Sequence, residues 1–120
     1  MKTIRVPILN DTYSVIVCSG EVKDVSKILK KYHHIITDEF IAEAIENKRG
    51  ITFYHSFRYP VIWLNLTEPF PVIIGTLSHE AVHAVGDIWG CIGEEGFNEA
   101  FAHSVGAVVR YVTAEIGDTY

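Results

Sequence analysis

The feature that most restricts the fold is a hydrophobic pattern that changes period along the chain. Thr3 to Leu9 and Tyr13 to Cys18 are β-rich runs around Asn10-Asp11-Thr12, which predicts a hairpin or two adjacent strands. Pro7, having no backbone N–H, favours an edge position. From Glu21 the spacing becomes helical: Val22, Val25, Ile28, Leu29 and Tyr32 share a face, with lysines on the other side. A second helix is predicted from Asp38 to about Asn47, with Thr37 or Asp38 as N-cap, a stripe of Phe40, Ile41, Ala44 and Ile45, and Gly50 beyond its end. Ile51 to His55 and Pro60 to Leu66 form a second pair of strand candidates. Thr67-Glu68-Pro69-Phe70-Pro71 breaks the pattern, and two long helices follow, roughly Val72 or Thr76 to Trp89 and Phe97 to Glu115, joined by a glycine-bounded loop over 90–96. The expected class is α+β, a small mixed or antiparallel sheet with packed helices.

A chain of 120 residues is expected to form a single domain over 1–120, so catalytic groups would have to come from a few neighbouring elements. The formal charge of -5 has the wrong sign for a protein that grips a phosphate backbone, which argues against nucleic acid as partner. Two cysteines, Cys18 and Cys91, cannot staple a small secreted scaffold, and both are read as reduced. The N-terminal residues lack the apolar run of a signal peptide, and the chain has no apolar stretch of roughly 18 residues, so no membrane association and a cytoplasmic location are expected.

The chemistry concentrates in His79-Glu80-Ala81-Val82-His83, an H-E-x-x-H motif. On a helix, residues i and i+4 stand about 40° apart, so both imidazoles can reach one ion while the glutamate between them projects alongside as a base. At this chain's His and Glu frequencies, a chance match has a probability of roughly 2%. Leu77, Ala81, Ala84, Val85 and Ile88 form an apolar stripe, and His79, His83, Thr76 and Glu80 are expected on the opposite side. On the following helix Phe97, Phe101, Val105, Val108 and Val112 form the core stripe, with Glu99 facing away from it above His103. Antiparallel packing of the two helices would let Glu99 complete a His-His-Glu set.

His79-Glu80-x-x-His83-Ala84-Val85-x-Asp87, followed by Gly96-Phe97-Asn98-Glu99-Ala100, resembles the gluzincin pattern of thermolysin-type zinc peptidases. The order of elements, with a Trp-containing strand before the motif and a closing E-A-F-A-x-x-x-G helix, is closer still to small metallopeptidase-like proteins of bacteriophages. The specific likeness spans roughly Leu77 to Gly106. It implies a minimal zincin-like core in which His79, His83 and Glu99 hold Zn²⁺ and Glu80 is the general base. It also implies a peptide or protein substrate, with a host protein and the host cytoplasm as the setting for a phage-encoded chain.

Two departures stand out. Thermolysin-type enzymes carry an aspartate four residues after the ligand glutamate, where this chain has His103. That histidine could orient a ligand, face the substrate oxyanion, or act as a fourth ligand that closes the site. The larger enzymes also draw their oxyanion-stabilising residues from a separate domain, leaving His55, Arg58, Tyr59, His103 and Tyr111 as substitutes here. The strand from Tyr59 to Leu66 could bind an extended substrate at a sheet edge or be an ordinary core strand. The run Phe53, Tyr54, Phe57, Tyr59 is read as packing before groove lining, His33-His34 as a solvated connection, and both cysteines as loop or packing residues. Peptide deformylases place their ligand cysteine before H-E-x-x-H, whereas Cys91 follows it. The leading expectation is a zinc metallopeptidase. The alternatives are a non-catalytic, metal-stabilised binding protein that captures a host protein, and a metal-dependent amidase acting on a non-peptide substrate. Oligomeric state stays open, with a free strand edge or a Trp63 surface as pairing candidates.

Overall fold

The computed structural model describes residues 3–9, 12–54, 58–93 and 98–117. The elements run β1 (Ile4–Ile8), β2 (Tyr13–Cys18), α1 (Val22–Lys31), α2 (Asp38–Ile45), β3 (Gly50–Phe53), β4 (Val61–Leu64), α3 (Phe70–Cys91) and α4 (Glu99–Gly117). The strands make one mixed sheet in the order β1-β2-β4-β3, antiparallel except where β2 and β4 pair in parallel. The fold is therefore α+β.

Alternation along the strands sends apolar side chains to both faces, so each face needs a cover. Val15, Val17, Ile62 and Leu64 pack under Leu77, Ala84 and Ile88 of α3 and Val108 and Val112 of α4. Ile16, Phe53, Val61 and Trp63 pack against Val25 and Leu29 of α1 and Ile41 of α2. Burial of each large apolar side chain contributes about 1.5–3 kcal/mol. β4 is buried at all four positions because it is covered on both faces and paired on both sides. It is thus an interior strand, and the edge beside α3 is β3. Trp63 is equally unavailable for pairing subunits: it is 7% exposed, and its Nε1 donates to the Gly20 carbonyl at 3.0 Å.

Local chemistry explains the element ends. Thr37 Oγ1 accepts the Phe40 N–H at 3.2 Å and starts α2, which ends at Ile45, two residues before the predicted end, because Asn47 takes a left-handed conformation at φ 56°. α3 begins earlier than expected, at Phe70. Pro71 falls in its first turn, where a backbone N–H has no helical acceptor, so the proline starts the helix rather than breaking it. Asn98 Oδ1 accepts the Phe101 N–H at 2.9 Å and begins α4. His34 corrects the reading of a solvated connection: it is buried, with Nε2 2.7 Å from the Tyr59 carbonyl. Among the described residues, no helix is long and apolar enough to cross a membrane.

Candidate metal centre

α3 carries His79, Glu80 and His83 past the outer strand β3, and the helix–strand approach there is close. A Cβ on Gly50 would lie 2.6 Å from Thr76 Cγ2 and 3.0 Å from the Trp63 carbonyl oxygen, so glycine is what allows α3 to sit against this edge. The two imidazoles project outward as expected, both exposed, with their Nε2 atoms 3.2 Å apart. Two nitrogens bound to one tetrahedral zinc at about 2.05 Å each would be separated by about 3.3–3.4 Å. The pair is thus spaced to converge on a single cation. The same spacing lets one neutral ring donate to the other's lone pair in the absence of an ion.

Glu80 does not share the histidines' exposure. It is 9% exposed and sits in the seam between α3 and β3, where Thr52 Oγ1 lies 2.8 Å from its Oε1 and 3.2 Å from its backbone carbonyl. At about 100° per residue, Glu80 stands about 60° from His83 and about 40° from Ala84, on the border of the apolar stripe. The neighbouring strand then covers it. Its second oxygen, Oε2, is 3.8 Å from His79 Nε2. A cleft of about 420 Å³, lined by Arg49, Gly50, Val72, Thr76, His79 and Glu80, opens at this point.

Tyr54, which sequence reasoning assigned to packing, reaches the same place. Its ring meets His83 edge-on at 6.2 Å, and its phenol is raised above the ordinary tyrosine range by burial and then by the negative charges of Glu80 and Asp87, so it remains a donor. The signal was available in strand alternation, since Thr52 and Tyr54 stand two apart in the predicted strand Ile51 to His55 and so fall on one face.

Glu99 and His103 lie one turn apart on α4 and pair with each other, His103 Nε2 to Glu99 Oε2 at 3.5 Å, with both side chains largely exposed. They do not join His79 and His83: among the described residues, no group of three or more His, Cys, Asp or Glu gathers in metal-holding geometry. No family model, curated protein or solved structure matches this chain.

Of the proposed oxyanion donors, Tyr59 turns to the opposite sheet face, where it packs on Tyr32 at 5.4 Å. Arg58 and Tyr111 are exposed. His55, Phe57, Gly96 and Phe97 lie outside the described residues. Cys91 is exposed at the last position of α3, while Cys18 is buried in the sheet.

Proposed function

We propose that this chain is a zinc-dependent hydrolase, a metallopeptidase in the first instance, with His79 and His83 as metal ligands, Glu80 as general base and Glu99 as the third ligand, which must leave His103 and move in from α4 when the metal binds. The observation that carries the reading is the convergence of the two Nε2 atoms at 3.2 Å beside a buried carboxylate whose Oε2 lies 3.8 Å from His79 Nε2. Two imidazoles, joined by the Glu99 carboxylate, would make a donor set of the kind that suits zinc. Bound zinc supplies Lewis acidity, lowering the pKa of its water to about 7 and polarising the scissile carbonyl.

The chain's own groups do the rest. Glu80 Oε2 takes the proton of the attacking water and returns it to the leaving amine. Tyr54, whose ring stands edge-on to His83 at 6.2 Å, is the group we assign to stabilising the charge that develops on the carbonyl oxygen. The substrate lies along β3. Asn65 N–H donates to the Arg49 carbonyl on the β4 side, and antiparallel alternation then turns the backbone groups of Gly50 and Thr52 to the free edge. An extended peptide can add there, with the cleft beside His79 on one side and a groove of about 940 Å³ between α2 and β3 on the other.

The expected result is one zinc per chain in the purified protein, and a Glu80→Gln variant that keeps the metal but loses peptide turnover. A chain that takes up no stoichiometric zinc overturns the reading. A second reading is favoured by the Glu99–His103 pair, which could enter the metal shell together and close it. Zinc with four protein ligands and equal behaviour of wild type and Glu80→Gln would make this a metal-stabilised binding protein.

A further inference from the structure

Thr52 belongs to the strand, not to the helix that carries the motif, yet it makes a close contact with the Glu80 carboxylate. We propose that Thr52 is a positioning residue for Glu80. Its hydroxyl donates to Oε1 at 2.8 Å and so holds the carboxylate with Oε2 turned toward His79. The role rests on the hydrolase reading, since Glu80 has a proton to take only there.

Several features point the same way. Thr52 is 5% exposed, and a buried hydroxyl is costly unless it is hydrogen-bonded. Valine has the same shape, favours strands equally and would fill the seam without that cost, so the hydroxyl needs a reason beyond packing. Threonine's β-branch restricts its rotamers, and Thr52 is fixed in register opposite Ile62 of β4. The donor is therefore held by the sheet, while the glutamate it restrains has three free torsions. The hydroxyl has one proton and two acceptors within reach, Glu80 Oε1 and the Glu80 carbonyl oxygen at 3.2 Å, both on the same residue. Sheet and helix are thereby tied at the base itself. With Oε1 occupied, Oε2 is the oxygen left for the attacking water.

The test compares full-length Thr52→Val and Thr52→Ser, each alone and combined with Glu80→Gln. Thr52→Val is expected to lower kcat by roughly 10–100-fold, the usual effect of removing an outer-shell partner, with KM changed less than about twofold and zinc content unaltered. Thr52→Ser restores kcat to near the wild-type value. In the Glu80→Gln background, where turnover is already lost, Thr52→Val is read on acetohydroxamate affinity and leaves it unchanged, because it acts through the carboxylate. A readout independent of turnover is calorimetric binding of acetohydroxamate to the zinc-loaded protein, whose acidic proton needs an acceptor beside the ion. Thr52→Val and Glu80→Gln should both weaken it, and Thr52→Ser should not.

Wild-type kcat in Thr52→Val, equal impairment of the serine variant, or a further loss of acetohydroxamate affinity in the Glu80→Gln background would each overturn the role. If Thr52→Val fails to fold, Thr52→Ala carries the same comparison. The two readings fail separately. An unloaded wild type, or an active Glu80→Gln, removes the hydrolase and this role with it. An inactive Glu80→Gln beside a fully active Thr52→Val removes only Thr52.

Discussion

A carboxylate placed in a helix–sheet seam for chemistry should cost the fold stability, and Glu80→Met measures that cost. The glutamate side chain is 12% exposed. The replacement loses a hydrogen bond to a charged acceptor, worth about 1.5–3 kcal/mol. It also removes the several kcal/mol needed to bury a carboxylate, and gains apolar burial of about 1.5–3 kcal/mol. Thr52 is not orphaned, since its hydroxyl keeps the Glu80 backbone carbonyl as acceptor at 3.2 Å. The hydrogen bond lost and the apolar burial gained roughly cancel, and relief of the desolvation cost leaves the variant more stable by up to about 4 kcal/mol, where each kcal/mol raises Tm by roughly 4 °C for a domain of this size. The assay is thermal unfolding at neutral pH with a chelator present, so that metal linkage does not enter. A fall in Tm would show that the carboxylate supports the fold, and the argument that Glu80 is retained for chemistry would be refuted.

Saturating zinc should raise the Tm of the wild type, since a ligand at one hundred times its Kd adds about 2.7 kcal/mol, and His79→Ala or His83→Ala should abolish the shift in the same melting experiment. Gly50→Ala should destabilise by about 1–3 kcal/mol because its Cβ meets Thr76 Cγ2, and Thr76→Ser should recover part of that loss in a denaturant titration of the double variant. Burial pushes the Cys18 thiol up to about 12 from its ordinary 9.0. The thiol thus stays protonated in the folded chain while it ionises in the unfolded one, so its contribution is complete below pH 9 and is lost as pH rises toward 12. At pH 10 the loss is about 1.4 kcal/mol. A Cys18→Ala variant should show correspondingly less alkaline destabilisation between pH 8 and 10, and parallel pH curves for the two proteins would contradict it.

The period of the apolar residues made the order of strands and helices legible, and Thr37 was legible as the cap of α2. Pairing was not legible. A hairpin between β3 and β4 follows from their separation, but the parallel match of β4 to β2 arises because the second face of the sheet needs α1 and α2 as cover. That match makes β4 interior and β3 the edge. The histidine pair was readable because helical spacing alone sets it. The burial of Glu80 was not, since a helical wheel places it on a border and only the neighbouring strand decides which side it joins. Thr52 and Tyr54 escaped notice for the same reason. Their importance comes from contacts with a helix some thirty residues away, although alternation already put them on one face. The position of Glu99 depends on how α4 packs on α3, which a periodic pattern does not specify.

The sheet protects its two outer strands unequally. At β1, Ser14 of the neighbouring strand donates its N–H to the Arg58 carbonyl on the β4 side, so Pro7, opposite Ser14, turns its backbone outward and offers no donor to an incoming strand. β3 has no proline, and alternation turns the complete peptide groups of Gly50 and Thr52 to the sheet's outer border, where Gly50 is half-buried and Thr52 buried. Two things guard it: its length of four residues and the exposed charges of Lys48 and Arg49 at its start. One border of the sheet is thus blunted at Pro7 by covalent structure, while the other relies on its shortness and on charge, which salt screens. The border left open to strangers is the one beside the histidines.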